Sequence, residues 1–122
     1  MGVPAAYRLR KQAEFSKVRS EGHRVRCGPF VFQCRVPAES SPDAPKLGVI
    51  ASRRVGNAVK RNYGKRLMRE IFRRNRASLP PGSETVIVLR SGFDRFDYAA
   101  LEERFLRAGE EVREGAKEAP GA

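Results

Sequence analysis

Histidine occurs once, cysteine twice, and carboxylates are few beside the cations: 14 Asp and Glu against 25 Lys and Arg in 122 residues. With His23 alone, a two-histidine acid–base mechanism is impossible. Cys27 and Cys34, seven apart and with no second pair, exclude a disulfide scaffold and a four-cysteine zinc site, and suit a reducing cytoplasm. The acids form no metal-ligating motif: Glu14, Glu21, Glu39, Asp43, Glu70, Glu84, Asp94 and Asp97 are scattered. Glu102-Glu103 and Glu110-Glu111 read as the solvated face of a C-terminal helix. No apolar run approaches the roughly 20 residues of a membrane span. The opening Met1-Gly2-Val3-Pro4-Ala5 lacks the hydrophobic region of a secretory signal.

What is present is positive charge, and it is concentrated. The formal net charge is +11 and the pI about 10.6. The length fits one domain, residues 1–122, and 40% hydrophobic residues suffice for one modest core. Residues 8–35 hold eight basic and two acidic side chains. Residues 53–76 hold ten basic ones and a single acid, Glu70. A block of that density repels itself without a counter-charge, which points to a polyanion and first of all to nucleic acid.

The patterning gives the order of elements. Residues 9–22 read as a short helix with Phe15 and Val18 on one face, stopped by Gly22; His23 then lies in an exposed turn. Residues 29–36 alternate, with Phe30, Phe32, Cys34 and Val36 pointing one way and Val31, Gln33 and Arg35 the other, as in a half-buried strand. A polar turn with three prolines spans 37–45. Residues 47–51 form a second strand, ended by Gly56-Asn57, and Asn57 can cap a helix over 58–76. The apolar run 85–89 is a central strand, and 97–112 form a helix with Leu101, Phe105, Ala108 and Val112 on one face. The tail 114–122 reads as frayed, leaving an ordered core of about 7–113. The order α-β-β-α-β-α predicts an α+β fold, an α-β sandwich with one central sheet packed with helices.

At about 100° per residue, Val59, Tyr63, Leu67 and Ile71 fall on one side of the helix over 58–76, as its buried stripe. Arg61, Lys65, Arg69 and Arg73 climb the opposite side, with Asn62 and Arg66 beside them. Such a ladder costs a few tenths of a kcal/mol per like-charged pair. Phosphates lying against it offset that cost, and the planar guanidinium suits them.

The run Arg61-Asn62-Tyr63-Gly64-Lys65-Arg66-Leu67-Met68-Arg69-Glu70 resembles the RNR signature helix of the bacterial ribonuclease P protein component. The lead-in Ser52-Arg53-Arg54-Val55-Gly56-Asn57-Ala58-Val59-Lys60 matches too. So does the opening: Tyr7-Arg8-Leu9-Arg10, Glu14-Phe15, Lys17-Val18, Gly22 and Phe30-Val31. The similarity covers roughly residues 7–112. It departs from the family at Tyr63, commonly Arg, which the wheel places on the buried side, and at Arg19, where some members carry an aromatic residue in the leader cleft.

The resemblance implies a protein that binds a large catalytic RNA, in a particle that removes the 5′ leader of precursor tRNA. It also implies a left-handed βαβ crossover around the signature helix, where element order alone favours the right-handed form. By position, Arg61, Asn62, Lys65, Arg66, Arg69 and Arg73 face the RNA subunit. Phe15, Arg19, Val31 and Gln33 fall at a cleft for the single-stranded leader, with Arg53 and Arg90 at strand ends for its phosphates. The protein then carries no catalytic residue, and Mg²⁺ is held mainly by the RNA subunit and substrate. The partners implied are that RNA and precursor tRNA, in the cytoplasm, with neither DNA nor membrane. Charge and size fit a structural RNA-binding protein of ribosomal type equally well. A DNA-reading helix would need base-reading side chains at its exposed positions, where beyond the cations only Asn62 is suitable.

Overall fold

The computed structural model describes residues 7–36 and 44–118. Helix α1 spans Gln12–Glu21, strands β1 His23–Arg26, β2 Phe30–Arg35 and β3 Lys46–Ile50, helix α2 Ala58–Asn75, strand β4 Glu84–Leu89 and helix α3 Tyr98–Glu118. The four strands form one sheet in the order β1-β2-β4-β3. β1 and β4 flank β2 antiparallel, while β3 lies parallel to β4 and reaches it through α2.

Two expectations are corrected. The first strand of the sheet, β1, falls on residues read as a loop, so the order is α-β-β-β-α-β-α. His23-Arg24-Val25-Arg26 has too little apolar content to reveal a strand. It forms as an edge, paired with β2 across a turn at Cys27–Pro29, where Gly28 takes a positive φ of 87°. The Cys27 amide donates to the Phe30 carbonyl at 2.9 Å to close that turn. The second correction concerns the C-terminal helix, read as 97–112, which runs from Tyr98 to Glu118. Most of the proline-rich turn lies outside the described residues.

Alternation in β2 holds, yet the strand is buried on both faces. Phe30, Phe32 and Cys34 pack with Leu47, Ile87 and Leu89 against Met68, Ile71 and Phe72 of α2 and Leu101, Phe105, Ala108 and Val112 of α3. The rings of Phe32 and Phe105 meet edge to face at 5.4 Å. On the other face α1 covers Val86, with Leu9, Val18, Phe15, Ile50 and Val88. The near-continuous apolar run of β4 follows from its place between β2 and β3 with helices on both sides.

Polar ties fix the layers. Glu14 accepts from the amides of Lys11 (2.9 Å) and Arg10 (3.1 Å), which starts α1 and holds that carboxyl below its ordinary pKa. Arg35 bridges Glu21 at the end of α1 (3.2 Å) and Glu84 on β4 (2.8 Å). Asn57 caps α2 as expected, its Oδ1 accepting from the Lys60 amide at 2.9 Å. Asn75 donates to Glu102 at 2.8 Å and joins α2 to α3.

Candidate nucleic-acid interface

Helix α2 is rotated from the expected phase. Its buried residues are Gly64, Met68, Ile71 and Phe72. Of the predicted stripe only Ile71 is fully buried and Leu67 half-buried, whereas Val59 is 78% and Tyr63 51% exposed. The cause is Gly64. A Cβ there would stand 2.7 Å from Leu89 and 2.8 Å from Phe93, so the bare backbone is what lets α2 approach the sheet. A wheel that counts only apolar side chains passes over that residue.

The rotation changes what each cation does. Arg61, expected to face outward, is half-buried, and its Nε is enclosed without a protein acceptor. Lys65 and Arg69 are also half-buried, while Asn62, Arg66 and Arg73 are exposed. Arg73 is already engaged with Glu70 one turn back, its Nε at 3.1 Å from the carboxylate. Among the described residues no carboxylate lies within ion-pair reach of Arg61, Lys65, Arg66 or Arg69. Partial burial, and then the nearby Arg8 charge, hold the Arg69 guanidinium below its ordinary pKa.

Arg8 was not singled out by spacing along α2. It reaches the helix because residues 7–9 run beside the edge strand β3, where Arg8 pairs with Leu47. Arg76 lies over the Tyr7 ring at 4.0 Å on the same flank. The half-buried Arg61, Lys65 and Arg69, with the exposed Arg8 beside Arg69, thus make a cationic flank without a carboxylate partner among the described residues, an arrangement that an incoming anion stabilises.

Beneath α1 an open groove of about 350 Å³ is lined by Arg10, Gln12, Phe15, Ser16, Arg19 and Ile50. Phe15 and Arg19 therefore stand where a chain could lie. Val31 and Gln33, expected to line the same cleft, are only 5% and 4% exposed and belong to the sheet behind it. The Gln33 amide is spent on the Arg19 carbonyl at 3.1 Å, locking α1 to β2. Sequence reading missed Gly48. A Cβ at that position would collide with the Phe15 ring, so glycine lets the ring lie against β3. Arg53 follows β3 and Arg90 follows β4; both are exposed. Because those strands are parallel and Ile50 pairs with Val88, the two arginines share the end of the sheet at which Ile50 enters the groove.

Little else could do chemistry. Burial pushes the Cys27 thiol up to about 11, against a smaller opposing effect of Arg104, and raises Cys34 as well. Neither offers a thiolate near neutral pH. His23 is exposed on β1, 3.7 Å from Glu111. Among the described residues, no three His, Cys, Asp or Glu side chains are grouped to hold a metal. None of the described helices is long and apolar enough to cross a membrane.

The family model of ribonuclease P matches residues 3–113. The chain belongs to the ribonuclease P protein family. It is 34% identical over 103 residues to the ribonuclease P protein component of Thermotoga sp. (strain RQ2), covering 81% of this chain and 86% of that one. With the component from Gluconacetobacter diazotrophicus it shares 37% over 97 residues, 79% and 82% of the two chains. The solved RNase P protein from Thermotoga maritima superposes with a TM-score of 0.73 at 32% identity, over 86% of this chain and 96% of that one. The Staphylococcus aureus RNase P protein gives 0.72 at 28%, over 92% and 96%. Membership in the ribonuclease P family makes this a component of a tRNA-processing ribonucleoprotein.

Proposed function

We propose that the α2 flank grips the ribonuclease P RNA while the groove under α1 receives the single-stranded 5′ leader of precursor tRNA. The observation that carries this reading is the set of half-buried cations without carboxylate partners, Arg61, Lys65 and Arg69, continued by Arg8. Asn62 and Arg66 extend it on the exposed side, and Arg73, held by Glu70, contributes less. Phosphates of a folded RNA supply the missing counter-charge, and each one neutralised releases counterions.

At the other site, Phe15 offers a ring to a leader base, a contact worth roughly 1–3 kcal/mol, and Arg19 offers a guanidinium plane. Arg53 and Arg90 take the leader phosphates. Val31 and Gln33 act from beneath by holding α1 and the groove in place. Only the precursor carries a leader, so the groove favours precursor over mature tRNA. In this reading hydrolysis belongs to the RNA partner, with Mg²⁺ held by RNA and substrate; the scarcity of grouped metal-ligating side chains among the described residues supports it. The protein contributes binding energy and screens repulsion between two polyanions.

Reconstitution tests this directly. The protein mixed with a ribonuclease P RNA at near-physiological Mg²⁺ should cut precursor tRNA at the mature 5′ end, and the protein stripped of RNA should not. Cleavage by the stripped protein would place the catalyst in this chain and overturn the division of labour.

A further inference from the structure

Among the described residues, Val59 and Tyr63 are the large hydrophobic side chains left exposed. They stand one turn apart on α2, so they form a single apolar step. Tyr63 is backed by the buried Phe93, ring centroids 6.3 Å apart at an interplanar angle of 36°. Lys60, next to this step, is occupied by Asp94 at 3.2 Å. The step therefore lies within the most basic stretch of the chain yet offers a π face and an isopropyl group instead of a free cation. Asn62 and Arg66, both exposed, adjoin it on the same helix.

We propose that Tyr63, with Val59, is a stacking platform for one unpaired nucleobase of the ribonuclease P RNA. This assignment rests on the reading of α2 as the RNA-subunit face. Size and charge select the occupant. A protein partner needs about 800 Å² per side with a fully buried apolar centre, and two side chains ringed by Asn62, Arg66 and the paired Lys60 cannot supply it. A base needs one aromatic face and a little flanking apolar surface, and its own phosphates suit the neighbouring cations. Phe93 holds the Tyr63 ring before RNA arrives, so less side-chain freedom is lost on binding.

The test is a salt series of equilibrium binding to a ribonuclease P RNA. It compares the unaltered chain with Tyr63→Ala, Tyr63→Leu, Tyr63→Phe and Arg66→Ala. Stacking is neutral, so Tyr63→Ala should weaken binding about tenfold at every salt concentration, leaving the slope of log K against log salt unchanged. Tyr63→Leu keeps apolar cover over Phe93 but lacks a π face, and should lose nearly as much. Tyr63→Phe should bind within about twofold of the unaltered chain. Thermal melts identify any variant that has lost its fold; Tyr63→Leu, the least disruptive loss of the ring, then decides.

Full affinity in Tyr63→Leu would overturn the platform. So would a concentration-dependent dimer of the free protein that Tyr63→Ala abolishes, because the step would then belong to a second copy. If Arg66→Ala lowers the salt slope by about one while Tyr63 variants bind normally, the platform alone fails and α2 remains the RNA face. If neither substitution matters, the platform fails, and Arg61→Ala combined with Arg69→Ala in the same series decides separately whether α2 is the RNA face.

Discussion

At the scale of single residues, two glycines shape the surfaces as much as the charged side chains do. Gly48 has ordinary backbone geometry; its role is the space above it, which the Phe15 ring fills. Gly48→Ala should push that ring off β3, costing about 1–3 kcal/mol of stability through overpacking. It should also narrow the affinity difference between leader-bearing and mature tRNA. Binding assays with both RNAs check this, and an equal loss for both would assign Phe15 to packing alone. Gly64 acts similarly on α2. Gly64→Ala raises intrinsic helix propensity by about 1 kcal/mol, but its Cβ meets Leu89 and Phe93. The net effect should be destabilisation of about 1–2 kcal/mol in denaturant titration. A more stable variant would show that the helix can move aside, and that its rotational phase is not set there.

At the scale of elements, the sequence was most readable where burial and periodicity agree. The apolar run Thr85–Leu89, the alternation in β2 and the Asn57 cap all appear as expected, because each is a local signal with a single physical cause. β1 was not legible, since an edge strand of alternating cations carries no hydrophobic signature; pairing with β2 creates it. The phase of α2 was misread for a related reason. Val59 and Tyr63 are apolar enough to claim the buried side, but close approach to the sheet at Gly64 decides the rotation. The cations of the candidate site were visible in the sequence, as was their spacing. Which of them is neutralised was not: the pairing of Arg73 with Glu70 is seen only in the folded chain. Arg8 joined the flank only through the pairing of residues 7–9 with β3.

At the scale of the molecule, the two candidate RNA surfaces lie on different sides of the sheet, the groove with α1 and the cationic flank with α2 and β3. One sheet can therefore serve two RNAs without either displacing the other, and the net charge of +11 favours association with both. In the proposed function, the partly buried cations of α2 stand without carboxylate partners, ready for RNA phosphate. The most direct measurement is the salt dependence of binding to a ribonuclease P RNA for the unaltered chain and for Arg61→Ala combined with Arg69→Ala, with melting temperature recorded for both. The double variant should stay folded, bind more weakly and lose about 1.4–1.8 from the magnitude of the log–log slope, close to two phosphate contacts. A folded double variant with unchanged affinity and slope would contradict the account.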